Sequence, residues 1–166
     1  MHEPVARIAA IAFGSNLSSE WGDREANLRE AIRRMGQLGE VRAVSSFFDT
    51  APVGYTEQPR FLNGTMLLET ALEPLDLMRE LLAIELAMGR DRTAAPPKGP
   101  RVIDLDLLLM GDVVMNRDGL TLPHPAMSER RFVLEPLAEI APEMVDPLSR
   151  LTVLQMLGRL NHADHG

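Results

Sequence analysis

Two aspartates separated by one residue, Asp104 and Asp106, are the strongest indication of chemistry in the chain. They follow a basic Gly-Pro-Arg turn at residues 99–101 and stand in the alternating run IDLDLLLM. Because side chains on a strand alternate between faces, both carboxylates are predicted to share one face, roughly 6.5–7 Å apart. A hard cation such as Mg²⁺, which binds carboxylate and phosphate oxygens, would relieve their repulsion. Two solvated acids on a half-exposed strand are the plainer interpretation, but a pair directly after a basic turn favours a metal site.

The segment just before this strand is basic in an otherwise acidic chain. Residues 90–101, RDRTAAPPKGPR, contain four basic residues and one acid. Arginine forks match phosphate oxygens, so Arg90, Arg92 and Arg101 could close over a transferring phosphoryl group. A solvated basic loop is the commoner fate of such a run, and the neighbouring aspartates favour a function here.

Three weaker candidates lie elsewhere. Glu85 falls among apolar neighbours on a predicted helix, where it could order the next loop or bind substrate, although an acid reaching water is the alternative. His124 stands between two prolines, which would hold its imidazole towards a phosphate, although such histidines are often structural or exposed. Arg130 and Arg131 follow, and either could reach a phosphate.

The order of predicted elements is β-α-β-β-α-β. It indicates an α+β fold, a ferredoxin-like βαββαβ antiparallel sheet with helices packed on one face. A small β extension and C-terminal helical turns are expected to follow. The predicted strands are 6–13, 41–48, 61–69, 101–110, 113–115 and 120–122, and the predicted helices are 23–35, 74–89 and 152–160.

Length and composition favour a single domain over residues 1–166. The chain is 45% hydrophobic and carries a net charge of −7, which disfavours nucleic acid as a partner because the overall field repels phosphate. No apolar run is long enough to span a membrane, and no signal peptide is visible. Without cysteine there are no disulfides from which to read a compartment, so a cytoplasmic location is the default expectation.

Taken together, these residues resemble a known enzyme family. The chain is similar to the 6-hydroxymethyl-7,8-dihydropterin pyrophosphokinases (2-amino-4-hydroxy-6-hydroxymethyldihydropteridine diphosphokinases) from about residue 8 to residue 147. The resemblance implies transfer of the β,γ-diphosphate of ATP to the hydroxymethyl group of the pterin, releasing AMP, in folate biosynthesis. It rests on six motifs in order: GSNL at 14–17, SSF through TAP at 45–52, QPRFLN at 58–63, IEL through GR at 84–90, GPRVIDLDLLL at 99–109 and PHP at 123–125.

The resemblance also implies a role for individual residues and for the partners. Asp104 and Asp106 would hold two Mg²⁺ ions, and Arg90 and Arg92 would assist the transfer. The partners would be ATP, as co-substrate, and a hydroxymethyl-dihydropterin, bound by a monomer. The implied nucleotide-binding residues are Glu85, Arg101, Leu107, Thr121, His124 and Arg130, and the implied pterin-binding residues are Thr50, Val53, Phe61, Asn63 and Phe132.

Two other functions compete with this interpretation. Ferredoxin-like domains often bind RNA or sense ligands without catalysis. An RNA-binding sheet would need exposed mid-strand aromatics, whereas this chain has 4% aromatic residues and two aspartates in that position. A non-catalytic pterin or nucleotide binder, and a Mg²⁺-dependent transferase acting on another alcohol, remain open.

Overall fold

An antiparallel sheet organises the molecule. The computed structural model describes residues 5–50, 60–89 and 102–165. The strands are β1 (Arg7–Ser15), β2 (Glu40–Val44), β3 (Phe48–Thr50), β4 (Phe61–Thr70) and β5 (Asp104–Met110). Four of them run in the order β2-β4-β1-β5, and β3 pairs with the part of β4 that β2 leaves uncovered.

The two helices predicted between the strands are confirmed and cover one face of the sheet. In α1 (Arg24–Met35), the Asp23 side chain accepts a hydrogen bond from the Ala26 amide at 3.0 Å, as an N-cap should. In α2 (Pro74–Ala87), proline occupies the first turn, where it costs no hydrogen bond. Both helices bury their apolar residues against one side of β1, β4 and β5, and the first core forms there.

Two further helices cover part of the opposite face. The helix predicted at 152–160 is confirmed as the longer α4 (Val153–His165), whereas α3 (Arg131–Ile140) lies where the sequence predicted only irregular turns. They pack on Ala10, Leu108 and Leu109 to form a second core. The continuous burial of β1 from its third residue onwards requires cover on both faces, so the α+β class is confirmed and helices flank the sheet on either side.

Two predicted strands differ in detail. The predicted strand 41–48 is divided into β2 and β3, because the chain breaks where Ser46 donates from its amide and hydroxyl to Glu139 on α3 at 2.7 and 2.8 Å. The predicted strand 113–115 was placed two residues too early. The observed hairpin joins β6 (Met115–Arg117) to β7 (Leu120–Leu122) through Asp118 and Gly119, both with positive φ, as a two-residue turn requires.

After the hairpin the chain makes one turn of 3₁₀ helix (Met127–Glu129) before α3. Across the three described ranges, no helix combines the length and apolarity needed to cross a membrane.

Candidate active site

The alternation predicted for the aspartate strand is confirmed. Asp104 and Asp106 are half-buried, whereas Leu105 between them is 4% exposed and belongs to the first core. Both carboxylates therefore lie on the face opposite α1 and α2. Asp104 pairs with Gly14 and Asp106 with Ala12 on the neighbouring strand β1.

A row of residues across the sheet connects Asp104 to the polar end of β4. Gly14 pairs with Asp104 on one side and with Asn63 on the other, so the three share a face. A Cβ atom at Gly14 would lie 2.6 Å from Oδ1 of Asn63, so glycine is required for the amide to lie over β1. Two strand spacings place the Asn63 and Asp104 backbones about 10 Å apart.

Thr50 and Asn63 form a polar pair on the same face, where β3 pairs with β4. Nδ2 of Asn63 donates to Oγ1 of Thr50 at 2.5 Å, and Asn63 is 9% exposed. Phe61 is half-buried and pairs with Thr50 across the two strands. The structure therefore brings together three of the residues expected to contact the pterin.

His124 lies beside the aspartates in a fixed orientation. Its backbone amide donates to the Leu108 carbonyl at 2.9 Å, and its Nδ1 accepts from the Ala126 amide at 3.2 Å. Burial, followed by the nearby Arg130 charge, lowers the pKa of His124 below its usual 6.5, and Asp104 opposes this shift. His124 is thus neutral at pH 7 with its proton on Nε2, which leaves that atom as a hydrogen-bond donor.

Of the two adjacent arginines, Arg130 is the one whose charge lowers the pKa of His124. Its guanidinium lies 5.7 Å from the ring centroid of Phe132, a cation–π contact at the start of α3. Arg131 instead forms an ion pair with Glu135 at 3.6 Å and donates to Asn161. Arg130 therefore contacts Phe132, whereas Arg131 is engaged by side chains of α3 and α4.

The remaining residues predicted to bind nucleotide differ in burial and in hydrogen-bond partners. Glu85 is 2% exposed, and its Oε2 accepts from the Leu105 amide at 2.7 Å. Leu107 is 6% exposed within the first core, so only its main chain is available to a ligand. Thr121 is half-buried on the hairpin and donates to Asn116 at 3.0 Å. Val53, Arg90, Arg92 and Arg101 lie outside the described residues.

An ionic cluster that the sequence did not predict flanks the Thr50–Asn63 pair. Asp49 on β3 accepts from Arg24 of α1 at 3.0 Å and from Arg60 at 2.9 Å, and Arg24 also donates to the Arg60 carbonyl at 2.9 Å. Arg24 foremost, and then Arg60, hold the pKa of Asp49 below its usual 3.8. These three residues are far apart in sequence, so no spacing pattern could reveal the cluster.

Comparison with known proteins agrees with this geometry. The sequence model of the 7,8-dihydro-6-hydroxymethylpterin-pyrophosphokinase (HPPK) family matches residues 10–142. The chain belongs to this family. It is 43% identical over 139 residues to the 2-amino-4-hydroxy-6-hydroxymethyldihydropteridine pyrophosphokinase of Bacillus subtilis, covering 82% of this chain and 80% of that protein.

Other HPPK relatives are much longer than this chain. A folic acid synthesis protein of Schizosaccharomyces pombe is 38% identical over 156 residues, which are 93% of this chain but 20% of that protein. The crystal structure of wild-type Plasmodium falciparum HPPK-DHPS matches with a TM-score of 0.71 at 14% identity, covering 96% of this chain and 45% of that one. At this identity the match supports the fold, and the predicted resemblance to the family is confirmed by the sequence relatives.

Proposed function

We propose that this HPPK family member transfers the β,γ-diphosphate of ATP to the hydroxymethyl oxygen of 6-hydroxymethyl-7,8-dihydropterin and releases AMP, a step in folate biosynthesis. One observation carries the proposal. The Asp104–Asp106 pair and the Thr50–Asn63 pair occupy one face of the same sheet, separated by the side-chain-free Gly14. A phosphate-binding end and a planar-ring-binding end about two strand spacings apart suit a pterin beside a triphosphate.

Asp104 and Asp106 are the residues proposed to hold Mg²⁺, with two ions expected. Their oxygens are the hard donors this cation prefers, and both lie on one half-buried face. No group of three or more histidine, aspartate or glutamate side chains that could hold a metal occurs in the described part of the chain, which suits a cation that takes its other ligands from phosphate and water. When bound, Mg²⁺ would neutralise charge on the phosphate oxygens.

The pterin is proposed to bind at the Thr50–Asn63 pair. The Asn63 amide presents both donor and acceptor atoms to the edge of a heterocycle, and its contact with Thr50 restricts the rotation of that amide. Phe61 and Phe132 are the aromatic side chains predicted to stack on the flat pterin ring. Val53 stays a prediction at this end of the site.

The nucleotide phosphates are proposed to meet His124 and Arg130. A neutral imidazole with its proton on Nε2 donates one hydrogen bond, and the Arg130 guanidinium adds charge and further donors. Arg90, Arg92 and Arg101 stay predicted contacts of the transferring group, whereas Leu107 and Thr121 stay predicted contacts of the rest of ATP. In the reaction the pterin oxygen attacks the β-phosphorus, and the bond from that phosphorus to the α-phosphate oxygen breaks. Positioning and electrostatic stabilisation supply the catalysis.

Product analysis tests this proposal. Purified protein is incubated with ATP, Mg²⁺ and 6-hydroxymethyl-7,8-dihydropterin, and the nucleotides are separated. The expected result is AMP formed one-for-one with pterin diphosphate and suppressed by EDTA. ADP in place of AMP would indicate γ-phosphoryl transfer, and folded protein that binds ATP without forming any product would favour a non-catalytic binding module. A panel of other alcohols tests whether the chain is instead a Mg²⁺-dependent transferase acting on a different alcohol.

We further propose that residues 1–166 act as a single monomeric domain in the cytoplasm.

A further inference from the structure

We propose that Glu85 is a positioning residue for the aspartate strand: its carboxylate holds the peptide group that joins Asp104 to Leu105 and thereby directs the Asp104 side chain towards the cation. This inference rests on the proposed function and gives Glu85 a role distinct from contact with the nucleotide.

The first support is the place of β5 in the sheet. Among the described residues, this strand is at the sheet edge and pairs with β1 alone. In an antiparallel ladder, alternate residues turn their amides away from the partner strand. Leu105 is such a residue, because its amide donates to Oε2 of Glu85 at 2.7 Å. The Glu85 carboxylate of α2 thus accepts the hydrogen bond that a backbone carbonyl of a further strand would otherwise accept.

The second support is that a carboxylate is buried at a position where an apolar side chain would cost less free energy. Glu85 is 2% exposed, and its helix neighbours Leu81, Ile84 and Met88 are 3%, 8% and 1% exposed. Burying a carboxylate is strongly unfavourable unless donors compensate for the lost water. The Leu105 amide is such a donor, and a hydrogen bond to a charged acceptor is among the stronger ones.

The third support is the side of the sheet from which Glu85 approaches. It belongs to α2, which packs on the face occupied by Leu105, whereas Asp104 and Asp106 point to the opposite face. Glu85 therefore acts on the aspartates through the strand. Fixing the amide of Leu105 fixes the plane of the peptide that joins it to Asp104, and with it the direction of the Asp104 side chain.

The test separates the hydrogen bond from the charge. Glu85→Gln keeps an acceptor of the same length without the charge, and Glu85→Leu removes both. Glu85→Asp keeps the charge but is one methylene shorter, so the comparison does not depend on the Leu variant folding. Glu80→Leu, the same change at an exposed position of α2, is the matched control.

Three readouts are measured: hydrogen exchange of the Leu105 amide, the Mn²⁺ affinity by calorimetry with a non-hydrolysable ATP analogue, and the Mg²⁺ concentration that gives half-maximal AMP formation. In Glu85→Leu and Glu85→Asp we expect faster Leu105 exchange and a metal affinity about 10- to 100-fold weaker, as for other residues that orient metal ligands. The KM for the pterin should stay unchanged. Glu85→Gln should keep the Leu105 amide protected and lose less metal affinity than Glu85→Leu, and Glu80→Leu should resemble the unmodified chain in all three readouts.

Two results would overturn the proposal. One is a Gln variant that keeps Leu105 protected yet loses metal affinity as fully as the Leu variant, because the charge would then act directly. The other is faster Leu105 exchange without any change in Mn²⁺ affinity, because the hydrogen bond would then serve stability alone. If the unmodified protein forms no AMP, the proposed function fails, and the Mn²⁺ affinities still decide the role of Glu85.

Discussion

The two edges of the sheet carry the two ends of the candidate site, and each edge is held in a different way. At one edge, β5 is held by Glu85, which is 2% exposed. At the other edge, β3 is held by Asp49, whose side chain is 48% exposed and whose partners Arg24 and Arg60 are 31% and 59% exposed. Beyond the backbone ladders that pair β5 with β1 and β3 with β4, the aspartate edge thus has a buried hydrogen bond and the Thr50 edge has exposed ion pairs.

This difference should appear as a difference in sensitivity to solvent. Exposed ion pairs contribute little and are weakened by salt, whereas buried contacts are shielded from counter-ions. Removing the acceptor of a buried amide leaves that amide without a hydrogen bond and destabilises the fold by its full desolvation free energy. We therefore expect metal binding at the aspartate edge to change little with salt concentration but to be strongly weakened by substitution. Pterin binding at the Thr50 edge should depend on salt concentration and be weakened less by substitution.

The largest expected effect is at the cation end. Asp104→Ala or Asp106→Ala should lower the rate of AMP formation roughly a hundred-fold to a thousand-fold or more, the loss typical when one electrostatic contact to a transition state is removed. Both positions are half-buried, so the unfolding midpoint should change little. The matched control is Asp112→Ala, at an exposed position just beyond the same strand. A fully active Asp104 or Asp106 variant would refute the metal assignment.

A smaller effect is expected at the Thr50–Asn63 pair. Asn63→Leu leaves the Thr50 hydroxyl without its donor and removes the amide proposed to contact the pterin, so the pterin Kd should rise about ten-fold or more. Binding is measured by calorimetry with an ATP analogue present, and the affinity for that analogue alone should stay unchanged. Thr50→Val and the double variant complete a thermodynamic cycle. Additive effects in that cycle would show that the two side chains do not act as a pair.

The smallest effect is expected from the exposed cluster. Asp49→Asn should raise the pterin Kd about two- to five-fold in dilute buffer, because an exposed pair contributes at most about 1 kcal/mol. The difference from the unmodified chain should shrink as salt is added. Asp76→Asn, which disrupts another exposed pair with Arg79 at 3.3 Å on α2, is the control. An Asp49 effect that persists in high salt would contradict the contrast between the two edges.

The same variant has an expected acid dependence. Since Arg24 and Arg60 hold the pKa of Asp49 below 3.8, its ionised form stabilises the folded protein. That contribution is fully present above pH 3.8 and is lost as the pH falls through the lower pKa of the folded state. Urea unfolding at pH 6 and at pH 3 should therefore show a smaller difference between Asp49→Asn and the unmodified chain at the lower pH. A difference that grows on acidification would contradict the direction of the shift.

Local patterns in the sequence were sufficient for much of the fold. The 3.6-residue spacing of Leu28, Ala31 and Met35 predicted α1, and alternation around Leu105 predicted which face of β5 carries the aspartates. The division of the predicted strand 41–48 was not predictable from local sequence. The strand is interrupted where the Ser46 amide donates to Glu139, which is 93 residues away along the chain. Helix α3 was not predicted, because Pro136 and Pro142 indicated an irregular segment, and α4 was predicted too short. The need to cover a second apolar face became evident only in the structure.

The sequence by itself therefore determined the class of the fold, the family and the pairing of Asp104 with Asp106 on one face, because each depends on spacing along a short segment. Only the tertiary structure decided which distant groups meet: Asn63 over Gly14, Glu85 at the Leu105 amide, and Arg24 with Asp49. The physical reason is that these contacts join elements separated by loops of arbitrary length. Their energies depend on burial and on distances between side chains, which no periodicity along the chain encodes.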